Sequence, residues 1–216
     1  MTWSQLATIV ALNIAGAVTP GPDIVLITRL ATKSRRHALA AVAGITLGVA
    51  WWCSLTVFGA AAVIAAFPDA LNAVQVIGGF VLVYMGIGMV RSARATFANP
   101  PSTVDEAAER LGSTGNAFRT GLATNLANAK AILFFLAIIA PLLPADVGLG
   151  TAFVVILAVV VCSFMVFATI ATVVSTERVR RTLLRAGPWI DVGSGIFFTV
   201  VAIALIVNGA RHFIGG

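Results

Sequence analysis

Charge is what this sequence has least of. Only 10% of its 216 residues are Asp, Glu, Lys or Arg, while 59% are hydrophobic, and the mean hydropathy is +1.01. A soluble domain carries about 25% charged residues to face water, so a chain this poor in charge has lipid as its main solvent. Cysteine is equally sparse. Cys53 and Cys162 both fall inside uncharged stretches, where a thiol behaves as a small hydrophobe, and they form neither a disulfide framework nor a metal-ligand pattern. The sequence has two histidines, His37 and His212, but no Ser-His-Asp set, phosphate-cradling loop or ligand cluster. Enzymatic chemistry, a cofactor and a bound metal therefore have no residues to rest on. The first residues also lack a basic segment and a small-residue cleavage site, so the first apolar stretch is expected to stay in the protein.

What is present is a series of long apolar runs. A helix needs about 20 such residues to cross a bilayer core of roughly 30 Å, and six runs qualify: residues 1–27, 38–67, 70–90, 120–143, 147–176 and 192–210. Only Asp23 and Lys130 put a charge inside one, and Asp191 sits at the edge of the last. None of the runs alternates polar and apolar residues as a barrel strand would. The expected fold is an all-α membrane protein of six transmembrane helices.

The basic residues orient it. Arg29, Lys33, Arg35 and Arg36 follow helix 1, Arg91, Arg94, Arg110 and Arg119 lie between helices 3 and 4, and Arg178, Arg180, Arg181 and Arg185 lie between helices 5 and 6. Short basic loops stay cytoplasmic, so both termini are expected outside. The net charge of +6 is thus a topology signal, and nucleic acid is not an expected partner.

Residues 92–115 form the one substantial polar stretch and read as a cytoplasmic linker, carrying a short surface helix, between a first repeat (residues 1–91) and a second (residues 116–216). Three helices per half give the halves opposite orientations, so a likeness between them is an inverted repeat. Cys53-Ser54-Leu55-Thr56-Val57-Phe58 can be laid on Cys162-Ser163-Phe164-Met165-Val166-Phe167, and Asp23-Ile24-Val25-Leu26 on Lys130-Ala131-Ile132-Leu133. Gly44 and Gly48, four residues apart in helix 2, read as a close helix–helix contact.

Two polar interruptions stand out. Helix 1 contains Thr19-Pro20-Gly21-Pro22-Asp23; two prolines remove two backbone donors and the glycine between them disfavours helix, so the helix is expected to break at Pro20-Gly21-Pro22. Irregular backbone at membrane depth survives only against protein or a wet cavity. Pro22 suits the start of a half-helix, with Asp23 in the first turn where the dipole favours negative charge. Helix 4 contains Asn125-Leu126-Ala127-Asn128-Ala129-Lys130, and a lysine at helix centre costs about 2.5–3.5 kcal/mol on an insertion scale. At 1.5 Å per residue Lys130 lies about 16 Å from Arg119, and Asp23 about 15 Å from Lys33, so both sit near the midplane. Either they pair with each other and join the halves, or they face a shared cavity and complement a zwitterion, Asp23 taking an ammonium or a proton and Lys130 a carboxylate. Asn13, a helix 1 amide with no cap to make, is a further candidate; Ser54, Thr56 and Ser163 are expected to bond their own helix.

Together the two motifs resemble the signature stretches of the LysE/RhtB amino-acid exporter family, over the whole chain in length, helix count and motif order. Where that family usually has Asn-Pro-Lys this chain has Ala129, which leaves open how sharply helix 4 is broken near Asn128. The resemblance implies a secondary exporter of amino acids in the bacterial inner membrane, driven by the proton gradient, with the lipid bilayer, a small amino acid and protons as partners and a homodimer allowed. It favours the zwitterion arrangement; with Asn13 added from the reading of helix 1, the expected site residues are Asn13, Thr19, Pro20, Gly21, Pro22, Asp23, Asn125, Asn128 and Lys130. One central carboxylate favours neutral substrates such as threonine, homoserine or leucine over cationic ones. A thiol-redox carrier using Cys53 and Cys162 and a small-solute or cation transporter are the alternatives.

Overall fold

The computed structural model describes residues 1–19, 21–59, 68–99, 104–139, 142–143, 148–177, 179 and 187–214; Pro20 and Arg178, Arg180, Arg181 and Arg185 lie outside them. Among the described residues there is no strand. Helix α1 (Trp3–Val18) opens on a capping box, in which Thr2 accepts from the Gln5 amide and the Gln5 side chain accepts from the Thr2 amide, satisfying two donors that a helix start leaves free. Helix α2 (Pro22–Ala31) follows across a 59° bend, with Pro22 in the first turn, where its missing N–H removes no helix bond. Then come α3 (Arg35–Val57), α4 (Pro68–Ala98), α5 (Val104–Glu109) and α6 (Thr114–Leu126). A short α7 (Ala129–Leu133) runs into a wider π-helical turn over Phe134–Ile139, and α8 (Leu149–Val174) and α9 (Gly187–Ile214) complete the order.

Three segments are long and apolar enough to cross a membrane, namely Arg35–Val57, Val76–Ala98 and Leu149–Val174, and the bent pair α1 and α2 makes a fourth if it is one span. Polarity is distributed inside out. Ile77, Phe80 and Tyr84 on α4, Phe153 and Met165 on α8 and Ile196 and Val200 on α9 are exposed, while Asn13, Asp23, Asn125, Asn128, Ser163 and Asp191 are buried. A water-soluble surface avoids continuous apolar faces of this kind, and lipid is the solvent they suit. The chain is a membrane protein.

Helix α3 packs on α6 and α8, and α4 packs along α9. The α3–α6 contact is as close as backbones allow: a Cβ on Gly44 would stand 2.0 Å from the Phe118 carbonyl oxygen, and one on Gly121 2.2 Å from that of Ala41. Gly48, the other member of the spaced pair, makes room for a side chain, since its Cβ would meet Asn125 Oδ1 at 2.5 Å. Two apolar cores result. One joins Leu26, Ile27 and Leu30 of α2 to Val42 and Ile45 of α3 and to Phe167 and Phe198; the other joins Ile9 of α1 to Val49, Trp52 and Val57 of α3 and to Ile132, Phe135, Val155 and Val159.

Two features differ from the sequence expectation. Helix α4 continues past Arg91 to Ala98, into the stretch read as linker, because a charge ends an apolar run without ending a helix. Asp191, read as peripheral, is fully buried: Arg29 Nε donates to its Oδ1 at 2.7 Å, Lys33 Nζ to its Oδ2 at 2.5 Å and Ser92 Oγ to Oδ2 at 3.3 Å. Arg29 and Lys33, two of the basic residues between the first two apolar runs, are therefore internal partners. His37 is buried as well, held between Ser34 Oγ and the Gly112 carbonyl, both at 2.9 Å.

Candidate functional site

The interruption of helix 1 creates two helix ends, the last turn of α1 and the first turn of α2. The end of α1 leaves carbonyls without partners and carries partial negative charge, and the start of α2 leaves amides and partial positive charge. Each end meets its electrostatic complement. Lys130 Nζ donates to the carbonyls of Gly16 at 2.8 Å and Thr19 at 2.5 Å, while Asp23 lies in the first turn of α2.

The interruption of helix 4 follows from one asparagine. Ala127 closes α6, and Asn128 takes an extended conformation (φ −84°, ψ 100°) that starts α7, its Oδ1 accepting from the Lys130 amide at 3.1 Å. That is N-cap chemistry, which asparagine performs without a proline. The other end of the same amide reaches across the site, Asn128 Nδ2 donating to Asp23 Oδ2 at 2.9 Å, beside Asn125 Nδ2 at 3.0 Å. The residue that breaks helix 4 thus also orients the carboxylate of helix 1.

Asp23 and Lys130 do not form a direct ion pair, since each is held by polar groups of the opposite half. Both face a cavity of about 440 Å³, counting its open mouth, lined also by Asn13, Gly16, Thr19, Gly21, Asn125 and Asn128 and walled by Ile24, Val49, Phe134, Phe135 and Phe167. Two buried oxygens in this region lack a donor, Asp23 Oδ1 and Asn125 Oδ1, the latter packed against Gly48. An ammonium has three protons and Lys130 uses two on carbonyls, leaving one for a ligand. The cavity is therefore lined by a carboxylate with one oxygen unpaired and, opposite it, a cationic donor.

Of the residues singled out by sequence, Asn13, Thr19, Gly21, Asp23, Asn125, Asn128 and Lys130 line this one cavity, Pro22 is buried at the head of α2, and Pro20 lies outside the described residues. The Thr19 hydroxyl is engaged with the Ala15 carbonyl at 2.7 Å, so its carbonyl is what serves the site. Sequence reasoning missed Gly16 and Ser163. Gly16 was findable, three residues from Asn13 on the same helix face. Ser163 was set aside as bonded to its own helix, as Thr56 is to the Trp52 carbonyl at 2.8 Å, yet Ser163 Oγ accepts from Asn13 Nδ2 at 2.9 Å. Cys53 and Cys162 are free thiols, and neither lines the cavity.

The family model of LysE type translocators matches residues 14–209. A threonine efflux protein of Escherichia coli (strain K12) is 29% identical over 204 residues, covering 93% of this chain and 97% of that protein. An uncharacterised membrane protein of Haemophilus influenzae is 28% identical over 211 residues, covering 97% and 100%. A second uncharacterised membrane protein, from Pseudomonas aeruginosa, is 34% identical over 120 residues, 54% of each chain. No solved structure matches the chain. With its two broken helices enclosing a polar cavity and the family model spanning nearly its whole length, the chain belongs to the LysE type translocator family.

Proposed function

We propose that this protein is a secondary active exporter of neutral amino acids in the bacterial inner membrane, binding its substrate as a zwitterion between Asp23 and Lys130. The observation that carries this reading is the pairing, in one cavity, of an unpartnered carboxylate oxygen with an ammonium that has one proton to spare. The substrate ammonium goes to Asp23 Oδ1, and its carboxylate to Lys130 and the amides at the head of α2. Efflux of threonine by a relative of nearly equal length supports amino acids as the cargo.

Neutral side chains fit better than cationic ones. Asp23 is the single carboxylate among the cavity-lining residues, and Asp191 is occupied by Arg29 and Lys33, so a second cation would find no partner. Proton coupling follows from the same carboxylate, which can hold a substrate ammonium or a proton but not both. Exchange of one for the other on opposite sides of the membrane gives antiport.

The six-span, inverted-repeat architecture with both termini outside is part of this reading. Packing supports it: α3 against α6 has its counterpart in α8 against α1 with α2, and α4 against α9 and α3 against α8 are pairs that a two-fold axis maps onto themselves. Asp23 at the break of helix 1 answers to Lys130 at the break of helix 4. The test is efflux of labelled amino acids from proteoliposomes across side-chain classes, with and without an imposed proton gradient. Gradient-stimulated efflux of neutral amino acids is expected; efflux of lysine or arginine alone, or of no amino acid, refutes the reading.

A further inference from the structure

One polar pair in the cavity is used neither by the zwitterion's charged groups nor by the helix breaks. Asn13 on α1 and Ser163 on α8 are 4% and 1% exposed, both line the cavity, and they are joined by Asn13 Nδ2 donating to Ser163 Oγ at 2.9 Å, with a longer contact of 3.4 Å to the Val159 carbonyl. Apart from this pair and Thr19, whose hydroxyl is already bonded, the wall away from the charged groups is apolar, formed by Val49, Phe134, Phe135 and Phe167.

The pair keeps hydrogen-bonding capacity in hand. Among the described residues nothing donates to Asn13 Oδ1 and nothing accepts the Ser163 hydroxyl proton. One acceptor, Asn13 Oδ1, and one donor, the Ser163 hydroxyl, therefore stand side by side, which is the complement of a hydroxyl group. Position agrees. Gly16, whose carbonyl holds Lys130, is three residues from Asn13, about 4.5 Å along α1. A small amino acid with its carboxylate at Lys130 therefore has its side chain at the level of the pair.

We infer that Asn13 and Ser163 form the side-chain subsite of the transporter and select a hydroxylated side chain over an apolar one of the same shape, threonine over valine. This rests on the reading of the cavity as an amino-acid site. Valine would leave the donor and the acceptor buried and unpaired, and that penalty, larger than the net value of a hydrogen bond, is the source of discrimination. The competing role is an interhelical bond that only holds α1 to α8. Such a bond would affect every substrate alike.

The two roles separate in the ratio of threonine to valine efflux, measured as initial rates from proteoliposomes and normalised to protein in the membrane. The wild type is expected to favour threonine, and Ser163→Ala to lower the ratio by about ten-fold, one hydrogen bond's worth. Should that variant fail to reach the membrane, Ser163→Cys keeps the shape while weakening donor and acceptor, and the ratio is expected to fall in the same direction. A ratio unchanged while both rates drop assigns the pair to helix packing and overturns the inference. So does a wild type that exports valine as readily as threonine, which leaves the exporter itself intact. A wild type that exports no amino acid sinks the exporter reading and the subsite with it.

Discussion

Asn128 performs two tasks with the two ends of one amide, and they can be pulled apart. Its Oδ1 caps α7 through the Lys130 amide, and its Nδ2 holds the buried Asp23 carboxylate. Losing an N-cap costs about 1 kcal/mol, and losing a hydrogen bond to a charged group costs roughly 1.5–3 kcal/mol. Asn128→Ala removes both and should destabilise by roughly 2.5–4 kcal/mol. At about 2–4 °C per kcal/mol for a chain of this size, the Tm falls by about 5–15 °C. Serine caps nearly as well as asparagine, but a hydroxyl committed to the Lys130 amide is too short to reach Asp23. Asn128→Ser should therefore recover about 1 kcal/mol of the loss, while export stays as impaired as in the alanine variant because Asp23 is held by Asn125 alone. Thermal unfolding in detergent and efflux from proteoliposomes read the two effects. Equal Tm values for the two variants would refute the cap, and full export by the serine variant would refute the role of Asn128 in holding Asp23.

The charged pair and its surroundings make further predictions. Asp23→Asn should abolish proton-coupled efflux while leaving membrane insertion intact, and Lys130→Ala should abolish efflux; because neither is the other's sole partner, the double variant Asp23→Ala, Lys130→Ala should stay inactive, and recovered efflux would mean a structural ion pair. Gly44→Ala should cost folded yield, since its Cβ would meet backbone at 2.0 Å, and Gly48→Ala should impair export by displacing Asn125; Gly193→Ala, where nothing lies within 4 Å, should be tolerated or raise the Tm slightly. Expression and Tm of the three decide it. Asp191→Ala strands Arg29 and Lys33 without a carboxylate, and removing one partner of a buried ion pair costs about 3–5 kcal/mol, so little folded protein should be recovered; wild-type Tm in this variant would contradict the burial of the cluster.

The sequence made the first break plain, because Pro-Gly-Pro removes donors wherever it falls, and it marked Asp23, Asn128 and Lys130 as costly residues needing partners. Which partners they take was not legible. Lys130 seeks the carbonyls of Gly16 and Thr19, and those carbonyls are free only because the helix of the opposite half ends there. The break at Asn128 was half legible, since asparagine in an apolar run reads as a costly polar residue before it reads as a cap. Asp191, Arg29, Lys33 and Ser92 come from α9, α2, the turn after α2 and α4, a tertiary meeting with no local pattern. The π-helical turn over Phe134–Ile139 likewise has no signal in composition, and it follows directly on the helix that carries Lys130.

The central claim is that the cavity between Asp23 and Lys130 takes a free amino acid by both of its charged ends. Competition against efflux of the best-exported labelled amino acid by that same amino acid N-acetylated, and separately as its carboxamide, tests this in the wild-type protein. The account predicts that the unlabelled amino acid competes and that neither blocked form does, because one lacks the ammonium for Asp23 and the other the carboxylate for Lys130. Competition by either blocked form at the concentration where the free amino acid competes would contradict it.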